Sequence, residues 1–412
     1  MIDDENIWND NEEDEDEEVT REAVEKFEAM LEEGKPAYFD ADDYDLIIEY
    51  YFRKNDMEHS RKAIDVALAQ HPDDIDLRIK NGYCHATSGN HRKALSIYTQ
   101  ALQDLDEDEK GEMYSAIGYE YQCLGFVDKA IEYYNMAIEN DPQDVEPWSL
   151  LGDLYRNQDR LEEAIEMYEY VLAIDPTHQW ANMHLANSYY DLDRFQEAID
   201  SLHEAIDHGV DTAMIHASLG DCHYRKGEFI DAQREYREAL ERDQYLTEAW
   251  SGLGYVYSDS GNSAKAIEYF NKAYTLEPFN DDHLYNLAAE YHKVNQNEQA
   301  LKYLLEIENN QPNDPDLYFF LGDLLAEMNR MDEGICYLKL GLQRTNNDPT
   351  LLYLLAYLYL ERSDKQTALG YLEEALKADP EYYKEFIEYN PEMITNDLEV
   401  MEMIKKNLEI DN

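Results

Sequence analysis

Helix breakers are scarce in this sequence. Its 412 residues include only 17 glycines and 11 prolines, which argues for an all-α protein. Cysteines are fewer still: Cys84, Cys123, Cys222 and Cys336 lie far apart, with no CxxC pair and no metal-ligand spacing. They read as free thiols in a reducing compartment, so the expectation is a cytoplasmic protein with no metal and no cofactor. No apolar run is long enough to span a bilayer. The opening MIDDENIWND is acidic and lacks the apolar core of a secretory signal. Basic residues are few, with 34 Lys plus Arg against 92 Asp plus Glu, for a formal net charge of −58. Such a field repels nucleic acid and anionic membrane surfaces and attracts basic proteins or peptides. It also keeps a long helical chain soluble. A Gly-rich phosphate loop, HExxH and GxSxG are all missing, and no catalytic residue is expected.

Hydrophobic residues make up 44% of the chain, and tyrosine is unusually common at 35. That is enough apolar material for an extended core. Residues 3–18 hold eleven acids and no base, and like-charge repulsion predicts a disordered tail over 1–18. Val19, Ala23, Phe27, Met30 and Leu31 then share one helical stripe, so a capping helix is expected over 19–36, with Thr20 at its start.

From residue 41 the chain repeats with a period of 34. The units begin near 41, 75, 111, 145, 179, 213, 247, 281, 315 and 349, and only the second is longer, by two residues around Asp104–Lys110. Each unit reads as two helices, A and B, joined by a short turn. The eighth position, Gly152 in the fourth unit, is Gly or Ala in all units but the first, where it is Ile48. The twentieth, Ala164 in the fourth unit, is small throughout. Small residues let the two helices approach, and Tyr155 and Tyr168 fill the remaining space.

Trp148, Leu151, Gly152, Tyr155, Ala164, Tyr168 and Pro176 carry the spacing W-x2-L-G-x2-Y, A-x3-F, P, and so do Trp250, Leu253, Gly254, Tyr257, Ala266, Phe270 and Pro278. Over 41–382 the chain resembles the tetratricopeptide repeat family. Some units depart from the pattern: the tyrosine of helix A becomes His85, His223 or Leu325, and the closing proline is lost at Asp106, Val210, Gln244 and Asn346. The resemblance implies an all-α, right-handed superhelical solenoid of about ten repeats with a concave groove. One repeat cannot bury its apolar face alone, so the ends need caps. Capping helices are expected over 383–412, starting at Tyr383, Phe386 and Ile387 and continuing along Ile394, Leu398, Met401, Ile404 and Leu408. Cys84-His85 and Cys222-His223 occupy one repeat position four units apart. They read as buried polar substitutes rather than ligands of a shared site.

The resemblance further implies that partners bind on helix A, at its second, fifth, ninth, twelfth and thirteenth positions. The Lys and Asn clamp of chaperone-binding relatives is missing: no fifth position is Lys. Aromatic and acidic residues stand there instead. Tyr83, Tyr119, Trp180, Tyr190, Tyr224, Tyr255, Tyr285, Phe319, Tyr353 and Tyr357 fall on these positions, either as exposed anchors for a peptide or as packing between repeats. Acids at the second position suit the helix dipole. At the ninth, Glu49, Asp153, Asp221 and Asp323 lie mid-helix, where Asp is a poor helix former. Pairing with Arg156, Arg225 or Lys293, a bond between repeats, or a basic ligand would explain them.

Three functions compete. The first is a non-catalytic scaffold or adaptor that binds a basic or aromatic-containing protein segment in the groove. The second is an acidic chaperone or decoy for basic clients, acting through bulk charge and the tail. The third, an enzyme with an unrecognised groove site, has only scattered Cys and His to support it.

Overall fold

The computed structural model describes residues 6–34 and 36–408. Every regular element among them is a helix. The chain divides into two compact units, Met1–Val210 and Asp211–Asn412.

The first unit opens with α1 (Asn6–Glu33) and continues through five hairpins. These are α2 (Ala41–Arg53) with α3 (Met57–Gln70), α4 (Ile75–Thr87) with α5 (His91–Ala101), α6 (Lys110–Cys123) with α7 (Val127–Asn140), α8 (Val145–Asn157) with α9 (Leu161–Ile174), and α10 (Gln179–Asp191) with α11 (Phe195–Asp207). A single 3-10 turn, Glu107–Glu109, takes up the two-residue insertion. The second unit has five more: α12 (Ala213–Arg225) with α13 (Phe229–Arg242), α14 (Thr247–Asp259) with α15 (Ser263–Leu276), α16 (Asp281–Lys293) with α17 (Asn297–Glu308), α18 (Pro315–Glu327) with α19 (Met331–Arg344), and α20 (Pro349–Glu361) with α21 (Lys365–Ala378). It closes with α22 (Tyr383–Tyr389), α23 (Pro391–Asn396) and α24 (Leu398–Asn407). The hairpins fall on the ten repeats.

One backbone device makes every turn between A and B. Its residue is Asn55, Gly89, Gly125, Asp159, Asp193, Gly227, Gly261, Asn295, Asn329 or Ser363, and all ten have positive φ, from 55° to 79°. A left-handed residue ends helix A and reverses the chain, and Gly, Asn and Asp adopt that conformation at least cost.

Within a hairpin the contact is tightest at the eighth position. A Cβ added to Gly152 would lie 2.7 Å from the Tyr168 ring, and one added to Gly254 would lie 2.4 Å from Phe270. Where helix B carries Leu202, Leu304 or Leu372 instead of an aromatic, the eighth position is Ala186, Ala288 or Ala356. A leucine does not by itself admit the methyl group: in repeat nine Leu338 stands opposite Gly322, where an added Cβ would lie 2.5 Å from its Cγ. Tyr134, Tyr168 and Tyr236 are fully or almost fully buried at this contact.

The ends differ from expectation in detail. α1 begins at Asn6 rather than near 19, so the stretch 6–18, expected to be disordered, is helical; residues 1–5 lie outside the described residues. Glutamate's high helix propensity opposes the repulsion along this stretch. Thr20 is therefore inside the helix and does not cap it. Ala23, Val24 and Phe27 are buried, while Val19 and Leu31 are exposed. Phe27 stands edge-on to Phe39, Tyr44 and Tyr51 at 6.2–6.5 Å. At the other end, the stripe from Ile394 to Leu408 is two helices. Asp397 breaks it and caps α24, accepting from the backbone N–H groups of Glu399 and Val400. Leu398 is 78% exposed, and Val400 takes its place in the core.

Candidate interaction surface on the A helices

The mid-helix acids have distinct partners. In α8, the Tyr168 hydroxyl reaches across from helix B and donates to Asp153 Oδ1 at 2.6 Å. Asp153 Oδ2 lies 3.4 Å from Trp180 Nε1, which donates from the next repeat. Arg156, the expected partner on the same helix, turns instead to His184 at 3.2 Å and Asp191 at 3.6 Å. In α12 the pattern recurs: Tyr236 donates to Asp221 Oδ1 at 2.6 Å. Burial pushes the Asp221 carboxyl up to about 6, with Glu248 adding to the shift and the Tyr236 hydroxyl opposing it. Glu49 is held from the next repeat, by Lys80 Nζ at 2.6 Å, and the same ammonium reaches Asp45 at 2.5 Å.

Asp323 in α18 is different. Helix B of its repeat has Leu338 where Tyr168 and Tyr236 stand, so no hydroxyl arrives. Lys293 is engaged elsewhere, with Glu290 at 2.6 Å and the Ser258 hydroxyl at 2.7 Å. Among the described residues, no hydrogen bond or ion pair reaches Asp323. Its half-buried carboxyl is raised by desolvation and then by Glu327; His292 opposes the shift, and Glu361 adds a smaller increment to it.

The aromatic candidates divide by exposure. Tyr83, Tyr119, Trp180 and Tyr255 are 50%, 46%, 57% and 38% exposed. Tyr255 packs edge-on to Phe270 at 5.2 Å and accepts a hydrogen bond from Asn286 Nδ2 at 2.8 Å. Tyr224 is half-buried, 6.3 Å from Tyr255, and donates to Asp259 at 2.7 Å. Tyr190 lies edge-on to Phe195 at 5.4 Å. Tyr285 donates to Asp314 at 2.5 Å. Tyr357 donates to Glu361 at 2.6 Å. Tyr353 is no surface residue: it is fully buried, its hydroxyl donates to the Asp379 carbonyl, and Tyr382, which precedes α22, and Phe386 within it cover the ring at 5.2 and 5.5 Å. α22 also brings Tyr389 to 5.5 Å from Tyr357 and 6.3 Å from Phe319. Exposed anchors and packing rings thus occupy equivalent positions in different repeats.

Two participants escaped the sequence reading. His184 lies 4.2 Å from the Trp180 ring, with burial lowering its imidazole; its place one turn after Trp180 was the available signal. Asp259 was legible only as an acid at a thirteenth position. The Cys and His pairs are internal. Cys84 and Cys222 are 1% and 2% exposed, and burial raises both thiols, that of Cys222 to about 12. His223 Nδ1 is 2.7 Å from Glu228, whose carboxylate also meets Lys226. Asp231, close to both, is paired with Arg234 at 2.7 Å. Internal partners occupy the side chains that would have to release to hold a cation there.

Profiles described as tetratricopeptide repeat match residues 156–222, 116–178, and 247–280 with 349–382. The matched segments lie on the hairpins already described. The chain is a tetratricopeptide-repeat protein. Tetratricopeptide repeats are interaction modules of a generally non-catalytic kind, and this tetratricopeptide-repeat protein is in that general sense a protein-interaction scaffold. No curated protein matches its sequence. Solved structures similar to it include MamA, at 28% identity over 39% of this chain and 95% of MamA, with a TM-score of 0.36. YrrB, described as having an unusual peptide-binding site, is 22% identical over 47% of this chain and 97% of its own, at 0.38. The C-terminal part of a TPR repeat-containing protein from Cytophaga hutchinsonii is 15% identical over 58% of this chain and 98% of its own, at 0.49. No helix of the described residues is long and apolar enough to cross a membrane.

Proposed function

We propose that this tetratricopeptide-repeat protein is a non-catalytic adaptor that holds a basic, aromatic-containing segment of a partner protein against its A helices. One observation carries the reading. Large aromatics at the ninth and neighbouring positions of helix A stand in solvent, whereas Tyr134, Tyr168 and Tyr236 of helix B are buried. Rings left exposed beside carboxylates suit cationic, amphipathic side chains, by apolar contact and by cation–π attraction. The net charge of −58 favours the same partners at long range. Asp323 supplies an anion that packing leaves unpaired.

The test is affinity purification from cell extract with the full chain and its Trp180→Ala, Tyr255→Ala and Asp323→Lys variants, each checked for helicity. The expected result is loss of partners from each. Folded variants that retain every partner would sink the proposal. Loss on deleting residues 3–18, with the three variants unaffected, would move the function to bulk charge.

A further inference from the structure

A cavity opens on the side of α10 opposite Trp180. In repeats three, seven, eight and ten, aromatic residues at the fourth, eleventh and twenty-third positions pack ring against ring. Tyr133 lies 6.3 Å from Tyr114 and 5.4 Å from Tyr121. Tyr269 lies 5.8 Å from Trp250 and 5.3 Å from Tyr257. Tyr291 with Tyr303, and Tyr359 with Tyr371, form two-ring stacks at 5.7 Å.

The fifth repeat has a single ring at these positions. Its three positions are Asn182, Tyr189 and Ser201. Both small side chains fold back on their own backbone: Asn182 Nδ2 donates to the carbonyls of Pro176 and His178, and Ser201 Oγ donates to that of Ala198. Neither fills the space that the rings take elsewhere. What remains is a cavity of 420 Å³ among α9, α10 and α11, within the usual size range of ligand pockets. Leu172, Ala173, Leu185 and Tyr189 supply its apolar lining, and Glu169, Glu197, Asp200 and Glu204 its carboxylates; no Lys or Arg lines it. Glu169 accepts from the Tyr189 hydroxyl, and Glu197 pairs with Arg194. Glu204 has no hydrogen bond or ion pair among the described residues.

We propose that this cavity is a binding site for an aromatic side chain carried on a basic segment of a partner protein. The ring enters where other repeats place their own, and flanking Lys or Arg side chains meet Asp200 and Glu204. The shape argument comes from the chain itself: the same backbone frame encloses aromatic rings in repeats three and seven. The charge argument comes from a rim of four carboxylates with no Lys or Arg and one imidazole, His208.

The test titrates a capped Lys-Trp-Lys peptide into the full chain by calorimetry, with capped Lys-Ala-Lys as control. Wild type is expected to bind Lys-Trp-Lys saturably, and Lys-Ala-Lys at least tenfold more weakly. Asn182→Trp/Ser201→Tyr restores the aromatic stack, so it should keep or raise the melting temperature while weakening Lys-Trp-Lys binding at least tenfold. Should that variant misfold, Asp200→Lys/Glu204→Lys alters only exposed side chains and should weaken binding similarly. Trp180→Ala should leave this affinity unchanged, which separates this site from the helix-A surface. Lack of binding by wild type, equal affinity in the refilled variant, or equal affinity in the charge-reversed variant would each overturn the proposal.

Discussion

Repeats four and nine place the same residue at the same point and treat it differently. In α8, Asp153 is locked by Tyr168 from within its hairpin and by Trp180 from the next. In α18, Leu338 holds the place of Tyr168 opposite Asp323, and among the described residues no donor reaches that acid. One substitution on helix B therefore changes the meaning of an acid on helix A. With a tyrosine opposite, the acid satisfies a hydroxyl that packing has buried. Without one, it is a half-buried charge with acidic neighbours and no role in packing. Repeat six, with Asp221 and Tyr236, sides with repeat four.

The largest expected effect comes from making repeat four resemble repeat nine. Tyr168→Leu removes a fully buried ring and leaves Asp153 without its main donor. A loss of about 3 kcal/mol is expected from the cavity and the broken hydrogen bond together. Urea unfolding followed by circular dichroism measures it, and a loss below about 1 kcal/mol would mean that the pair contributes little.

The acid of repeat six adds a pH signature. Its folded-state value is raised to about 6, above the ordinary carboxyl value near 3.9. Between those values the folded chain holds the extra proton, so stability from this group falls as pH rises and the penalty is complete above about 6. Wild type relative to Asp221→Asn should therefore lose at most ~3 kcal/mol between pH 4 and pH 7. A difference that does not vary with pH would show that Asp221 ionises freely.

The legible part of the fold lies in positions that recur. Gly152, Ala164, Tyr168 and the left-handed residue at Asp159 act through local geometry that a 34-residue period exposes, so the hairpins could be placed from the sequence. The ends follow no period: Asp397 stops α24 from merging with α23, and α1 starts at Asn6, outside the apolar stripe that marked it. The surface was legible only in part. Exposure of Trp180 and burial of Tyr353 follow from what the neighbouring repeat or the cap supplies, and a list of lining positions does not contain that. The pairing of Asp with Tyr fifteen residues later was present in the sequence at 153 and 168 and at 221 and 236, and absent at 323 and 338. Considering helix A alone concealed it.

Smaller effects sharpen the contrast by their sign. Asp153→Ala strands a buried tyrosine hydroxyl and should cost about 1–2 kcal/mol. Asp323→Ala removes an unpaired, partly desolvated carboxylate and adds a better helix former, so a gain of about 1 kcal/mol is expected at pH 7.5. Parallel urea titrations decide it: two losses of equal size would mean that Asp323 has a structural partner after all.

The smallest change runs the comparison in reverse. Leu338→Tyr gives repeat nine the residue found in repeats four and six. Gly322 already stands opposite, as Gly152 does to Tyr168, so the ring meets backbone hydrogen rather than a methyl group. Leu338 is fully buried, and the larger side chain must displace neighbours. That overpacking offsets the new hydrogen bond to Asp323, leaving net stability within about 1 kcal/mol of wild type. Binding is the more telling readout. If the free carboxylate is what a basic segment recognises, Leu338→Tyr should weaken partner capture as Asp323→Lys does, without altering any exposed aromatic. Unchanged capture, in a folded variant, would show that the anion is dispensable and that the exposed rings alone recruit the partner.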